Sequence, residues 1–345
     1  MEKHRFFVGA YAAAGRPSIF RYAADLSAGT LVCETCCAQA ERPCCLWPSR
    51  DGRLLYAVEE LHPDGRVTVF LLSGDHILRC SSLDSGGASP CALAIDDNGR
   101  FLVAAHYTSG SLTLFALDEN GLPHRQLDLC SYSGHGVHPT RQQSPHLAFA
   151  ALRGQDVYAA DLGLDALHCF HIDPDAQRLV PGTDLPLPPG TGPRRFCFSP
   201  FHPELIYVLG ELDSCVHVLR LSSGETGPVQ RISTLPQNAQ DSGRASALCL
   251  SPDGRFLFAA NRRLDSLTAF EILADGTLRL RHIAPCGGSG PRDILCLENC
   301  LVVANEDSAN LALVPFSPDT QQFCDPCASV GITAPVCLCP EASIR

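Results

Sequence analysis

The 345-residue chain has a single lysine, Lys3, against 25 arginines. That bias is one of composition and carries no functional weight. Other absences exclude more. No run of 18 apolar residues occurs, so no membrane-spanning helix is expected. Positive charge is not in surplus: the net charge is −11. Nucleic acids and anionic membranes are bound by basic stripes that displace counterions, so neither is an expected partner. The first residues, MEKHRFFVGAYAAAG, lack the apolar stretch of a secretory signal and read directly into a strand. A cytoplasmic location follows as an expectation. No Gly-x-Ser-x-Gly elbow is present, which sets aside a serine nucleophile of that type.

Cysteine, by contrast, is abundant, with 19 residues. Most stand inside apolar strands, among them Cys197, Cys249, Cys296, Cys337 and Cys339, where a free thiol acts as a small hydrophobe. Without an export signal they are expected to be reduced. Cys33 with Cys36, and Cys324 with Cys327, have zinc-ligand spacing, but chance pairs are common in so cysteine-rich a chain. No metal or cofactor is expected.

What the chain has is a repeat. Residues 248–263 read LCLSPDGRFLFAANRR and residues 92–107 read ALAIDDNGRFLVAAHY. Looser copies begin at 46, 147, 196 and 294, so the starts are 46, 55, 49, 52 and 46 residues apart. Each copy is an apolar strand, a tight turn, a second apolar strand and a polar cluster. That period and pattern predict an all-β fold, a β-propeller. Six copies are complete. A seventh assembles from APVCLC (334–339) and RFFVGAY (5–11), whose pairing would close the ring and remove its open edges. The expectation is therefore one domain over residues 1–345, a seven-bladed propeller closed by its N- and C-terminal strands.

Within one copy the first strand (247–252) turns at Asp253-Gly254 into the second (255–260). A polar loop leads to a third strand (266–273), and Asp275-Gly276 to a fourth (277–283). The first two strands are antiparallel, so the residues before the first and after the second share one face. That face collects His146, Arg194, Arg195, Arg244 and Arg292 on one side of the pattern. Glu59, Glu60, His106, Tyr107, Asp161, Glu211, Asn261, Arg262, Asn305 and Glu306 lie on the other. Guanidinium groups clamp carboxylate or phosphate, and imidazole and carboxylate move protons, so the set points to a small anionic substrate. Ion pairs between blades are the competing explanation for any single Arg–carboxylate pair. For Asp161 and Asn305 local hydrogen bonding is the favoured reading.

At these same positions the chain resembles a known family. The strings are VGAY (8–11), HYTSGSL (106–112), RQQSPH (141–146), DLGLD (161–165), GPRRFCFSP (192–200), YVLGEL (207–212), GPRDI (290–294) and VVANEDS (302–308). Together they are similar to the seven-bladed lactonase family, which contains propeller-type 6-phosphogluconolactonases and fungal carboxymuconate cyclases. The resemblance implies a site of His146, Arg194, Glu211 and Arg262. The chain departs from the family at Ala148, Arg195 and His106.

The expected reaction is hydrolysis of a sugar-acid lactone, most directly 6-phosphogluconolactone. Glu211 or His146 would be the base, Arg194 or Arg262 the oxyanion donor. Arg292, Arg195, His106 and Tyr107 would bind the rest of a small anionic lactone. The alternatives are a muconate-type cycloisomerase, a non-catalytic interaction propeller, and a metal-dependent lactonase using Glu59, Asp161, Asn261 and Asn305. A monomer or weak homodimer is expected.

Overall fold

The computed structural model describes residues 3–221, 227–239 and 244–341, apart from the side chains of Thr35 and Cys36. Every regular element among them is a strand. β1 (His4–Ala10), β2 (Ile19–Asp25) and β3 (Thr30–Ala38) come first. β4 (Pro43–Pro48), β5 (Leu54–Glu59), β6 (Arg66–Ser73) and β7 (His76–Asp84) form the next sheet. It is followed by β8 (Pro90–Ile95), β9 (Phe101–His106), β10 (Ser111–Leu117) and β11 (Pro123–Ser131). The fourth sheet is β12 (Leu147–Arg153), β13 (Asp156–Asp161), β14 (Ala166–Asp173), β15 (Arg178–Pro181) and β16 (Leu185–Pro186). The fifth is β17 (Pro193–Phe198), β18 (Leu205–Gly210), β19 (Cys215–Arg220) and β20 (Gly227–Ser233). The sixth is β21 (Ala245–Leu250), β22 (Phe256–Asn261), β23 (Ser266–Ile272) and β24 (Leu278–Pro285). The seventh holds β25 (Pro291–Leu297), β26 (Cys300–Asn305), β27 (Asn310–Ser317), β28 (Gln322–Phe323) and β29 (Ala328–Gly331). The last strand, β30 (Pro335–Pro340), pairs with β1 and completes the first sheet in the order β3-β2-β1-β30. These are the seven blades and the terminal pairing that the repeat predicts.

Two sheets differ from the four-stranded expectation because the outermost strand is broken in two. β15 and β16 both pair with β14, and β28 and β29 both pair with β27. Pro181, Pro186 and Pro326 stand at or between the pieces, and a proline cannot donate to the ladder, so an outer strand there is interrupted.

The turns follow the sequence signals. Gly52, Gly99, Gly121, Gly254 and Gly276 all take positive φ, between 65° and 79°, where only glycine is unstrained. The chain packs as two compact units, one mainly residues 33–190 and the other mainly 191–336. In the first, Phe7, Ile19, Leu46, Leu55, Phe70 and Cys337 bury their side chains in one cluster. In the second, Phe256, Phe258, Phe316 and Phe323 pack edge to face or tilted. The cysteines with described side chains are all free thiols.

Candidate active site

The first strands of six sheets carry the same irregularity. The register jumps between Pro43 and Cys45, Pro90 and Ala92, Leu147 and Phe149, Pro193 and Arg195, Ala245 and Ala247, and Pro291 and Asp293. The bulged residues are therefore Cys44, Cys91, Ala148, Arg194, Ser246 and Arg292. A bulge leaves one residue out of the ladder and re-aims its side chain. Several of these side chains bond the next sheet. Cys44 Sγ donates to the Pro90 carbonyl (3.4 Å) and Cys91 Sγ to that of Leu147 (3.0 Å). Arg194 Nε donates to the Ser246 carbonyl (3.0 Å), and Ser246 Oγ to that of Pro291 (2.5 Å). Placing Arg194 and Arg292 just before the strands misses this; both are inside, at the bulge. Ser246 was missed altogether.

The ends of the second strands separate into two rows. The last strand residue is buried: Glu59, His106, Asp161, Asn261 and Asn305 are all 0 % exposed. Asn261 Oδ1 accepts from Thr234 Oγ1 (2.7 Å), and Asp161 Oδ1 takes the amides of His146, Gly163 and Leu164. Asn261 and Asp161 thus hold the loops, whereas Glu59 Oε2 and Asn305 Oδ1 are buried without a hydrogen-bond partner. His106, expected to bind substrate, belongs to this buried row. Its Nδ1 lies 3.1 Å from the Ser111 carbonyl and its Nε2 3.0 Å from Ser85 Oγ. Burial pushes its pKa down, keeping the ring neutral. Gly210 occupies the same place in the fifth sheet, where a Cβ would sit 2.2 Å from Asp213 Oδ1. Asp213 fills the role instead, accepting from His217 Nε2 at 2.8 Å.

The following residue of each copy forms the second row: Glu60, Tyr107, Leu162, Glu211, Arg262 and Glu306. Their amides bond the carbonyls of Arg42, Ser89, His146, Gly192, Arg244 and Gly290, at 2.8–3.2 Å. That bond pins the two chain ends of each sheet together, so side chains from both sides of the pattern converge.

In the unit of residues 191–336 this convergence builds a charged cluster. Glu211 is fully buried, and its Oε2 accepts from Arg194 Nη1 at 2.5 Å and lies 3.3 Å from Arg262 Nη2. Arg262 Nε is buried with no hydrogen-bond partner. Burial pushes the Arg262 pKa down to about 9. The Arg194, Arg292 and Arg244 charges push the same way, and Glu211 opposes them. Arg292 Nη1 lies 3.6 Å from Glu306 Oε2. Arg195 takes another direction: its Nη1 donates to Asp293 Oδ1 at 3.0 Å, tying β17 to the sheet of β25. Arg195, expected as a substrate clamp, is engaged in this ion pair.

In the unit of residues 33–190, Tyr107 and His146 stack with ring centroids 4.4 Å apart and planes 9° apart. His146 Nδ1 lies 2.8 Å from the Tyr107 carbonyl oxygen. A carbonyl only accepts, so Nδ1 carries the proton, and in the neutral ring Nε2 is left with the lone pair. Arg141 Nη2 donates to the Tyr107 hydroxyl at 3.0 Å. Sequence reasoning missed Arg141, which has no counterpart in the repeat.

Cys324 and Cys327 are exposed, whereas the other pair includes Cys36, whose side chain lies outside the described residues. No group of three or more His, Cys, Asp or Glu able to hold a metal occurs among the described residues. No helix among them is long and apolar enough to cross a membrane.

The family described as Lactonase, 7-bladed beta-propeller matches residues 5–340. A 6-phosphogluconolactonase of Bacillus subtilis is 29% identical over 349 residues, 98% of each chain. One from Formosa agariphila is 31% identical over 280 residues, 77% of this chain and 78% of its own. Among solved structures, the periplasmic gluconolactonase of Pseudomonas aeruginosa superposes with a TM-score of 0.91 at 26% identity, covering both chains fully. A protein from Lactobacillus plantarum gives 0.90 at 25% identity, over 98% of this chain and 99% of its own.

Proposed function

Because the chain belongs to the seven-bladed β-propeller lactonase family, we propose that it hydrolyses a sugar-acid lactone, with 6-phosphogluconolactone as substrate and 6-phosphogluconate as product. One observation supports an anionic substrate above the others. Arg194, Arg244 and Arg292 all push against the charge of Arg262, which shares the buried carboxylate of Glu211 with Arg194. A bound phosphate or carboxylate relieves that repulsion. An oxyanion forming on the lactone carbonyl oxygen does so too, and one well-placed donor to it is worth about 3 kcal/mol.

The reaction adds water to the lactone carbonyl, collapses the tetrahedral oxyanion and breaks the ring C–O bond, with a proton passing to the leaving alkoxide. The resemblance assigns His146 to this reaction, and its tautomer suits the part: Nε2 takes the proton from water and returns it to the alkoxide. Glu211, its Oε2 held by Arg194 and Arg262, orients those two guanidiniums. Arg292 holds the substrate's distal anion. No cation enters the scheme, so turnover survives exhaustive chelation. Free thiols in such number suit the cytoplasm.

The test is hydrolysis of freshly generated 6-phosphogluconolactone beside unphosphorylated gluconolactone and muconolactone. Preference for the first supports the reading; turnover of muconolactone alone replaces it with the cycloisomerase.

A further inference from the structure

Glu59 differs from its counterparts in the buried row. His106 and Asn261 each take a partner from the segment that leads in from the preceding sheet, Ser85 Oγ at 3.0 Å and Thr234 Oγ1 at 2.7 Å. Glu59 takes no such partner from the segment before β4. Glu59 Oε1 accepts from Thr68 Oγ1 (3.1 Å) and Arg79 Nη2 (2.5 Å). Oε2 has no hydrogen-bond donor, and Arg66 Nη1 stops 3.9 Å away, although the side chain is 0 % exposed. A buried carboxylate oxygen left without a donor is costly.

Glu59 lines a cavity of about 420 Å³ that also carries Arg16, Arg42, Arg66, Arg79 and Glu41. The volume is that of a small-molecule site. Four guanidiniums against two carboxylates leave the wall positive. Arg66 and Arg79 keep 47% and 41% of their side chains exposed, so both can turn onto a ligand. The Ala12–Gly15 loop that forms one side has only small residues and keeps the space open. None of these residues belongs to the Arg194–Glu211–Arg262 cluster.

We propose that this cavity is a second binding site, for a small hydroxylated anion of the sugar-phosphate or aldonate class. Arg16 and Arg66 hold the phosphate or carboxylate, and a sugar hydroxyl supplies the donor that Glu59 Oε2 lacks. The site does not depend on the hydrolytic reading, and its failure is separable from that of the reaction.

Isothermal titration of the full chain with glucose 6-phosphate and with gluconate tests it, with glucose and inorganic phosphate as controls. The expected result is binding of at least one hydroxylated anion, weakened about tenfold or more in Arg66→Ala and retained in Arg194→Ala. Lactone turnover in Arg66→Ala stays at the wild-type level. Absence of binding by both hydroxylated probes overturns the proposal. So does inorganic phosphate binding as well as glucose 6-phosphate, or affinity that falls in Arg194→Ala and not in Arg66→Ala.

Discussion

Arg194 donates through Nη1 to Glu211 Oε2 over 2.5 Å, from a bulge at the start of β17 to the residue just beyond β18. The two strands are neighbours, yet a regular ladder would not join these side chains. The bulge frees Arg194 from the alternation, and the Gly192–Glu211 backbone bond holds the carboxylate beside it. Arg262 arrives from the next sheet onto the same oxygen. The carboxylate is therefore a hub for two cations.

Glu211→Gln tests the hub. It keeps the size of the side chain and removes the charge that two guanidiniums share. kcat is expected to fall on the order of 10²–10⁴-fold with little change in KM. The fold should also lose about 3 kcal/mol, because breaking a buried pair strands the partner charge. Adding 6-phosphogluconate should recover part of that loss in a thermal melt. Near-normal turnover would remove Glu211 from the mechanism.

Arg292 and Arg194 share the bulge position but are assigned different work. Arg292→Ala should raise KM for the phosphorylated lactone and leave unphosphorylated gluconolactone almost unaffected, since that substrate offers no distal anion. Arg194→Ala should impair both, because the oxyanion forms in each. Steady-state kinetics on the two lactones separates the cases. Equal losses on both for Arg292→Ala would make it part of the scaffold through Glu306.

The pairing of β30 with β1 gives a prediction about folding. Phe6, Phe7 and Val8 of β1 are fully buried, and Cys337 and Cys339 of β30 enter the same cluster as Phe7. Deleting residues 334–345 removes that strand and leaves an apolar edge open. Soluble expression should be lost. A truncated protein that melts like the parent would show that the first sheet does not need its fourth strand.

The fold was legible because turn chemistry and apolar strands repeat at a fixed spacing, which forces the same two hairpins in every copy. The charged cluster was legible for a related reason: antiparallel strands bring the ends of a sequence motif together without further information. What remained hidden depends on one-residue detail. His106 and Tyr107 are adjacent in sequence, but strand alternation buries the first against Ser85 and leaves the second to stack on His146. Arg194 and Arg195 part in the same way at the bulge, one to Glu211 and the other to Asp293. A bulge has no clear sequence signature, so the different partners of the two arginines were not legible. Arg141 lies in a long insertion between copies, beyond the reach of any repeat.

His168 gives the last prediction, on pH. Its Nδ1 lies 2.7 Å from Asp184 Oδ2 and its Nε2 3.1 Å from Asp161 Oδ2, and the Tyr132 ring stacks on it at 3.6 Å. Ionised carboxylates only accept, so a ring between two of them carries both protons and is cationic. Burial opposes that charge, but the two hydrogen-bonded carboxylates outweigh it and raise the pKa above the usual 6.5. Below the unfolded value the ring is charged in both states, and the two ion pairs contribute their full stabilisation. As pH rises through the folded value the proton leaves and that contribution is lost, at roughly 1.4 kcal/mol for each unit by which the two pKa values differ. Stability should thus decline from pH 6.5 upward. Asp184→Asn keeps a hydrogen-bond acceptor and removes one charge, so it should lower Tm at pH 6 and flatten the decline. Asp161 also holds the His146 amide at 2.8 Å, which makes the charge state of His168 a matter for the loop that carries His146. Melting curves of the two proteins between pH 6 and 9 at constant ionic strength decide it. Parallel curves would mean that His168 is neutral throughout.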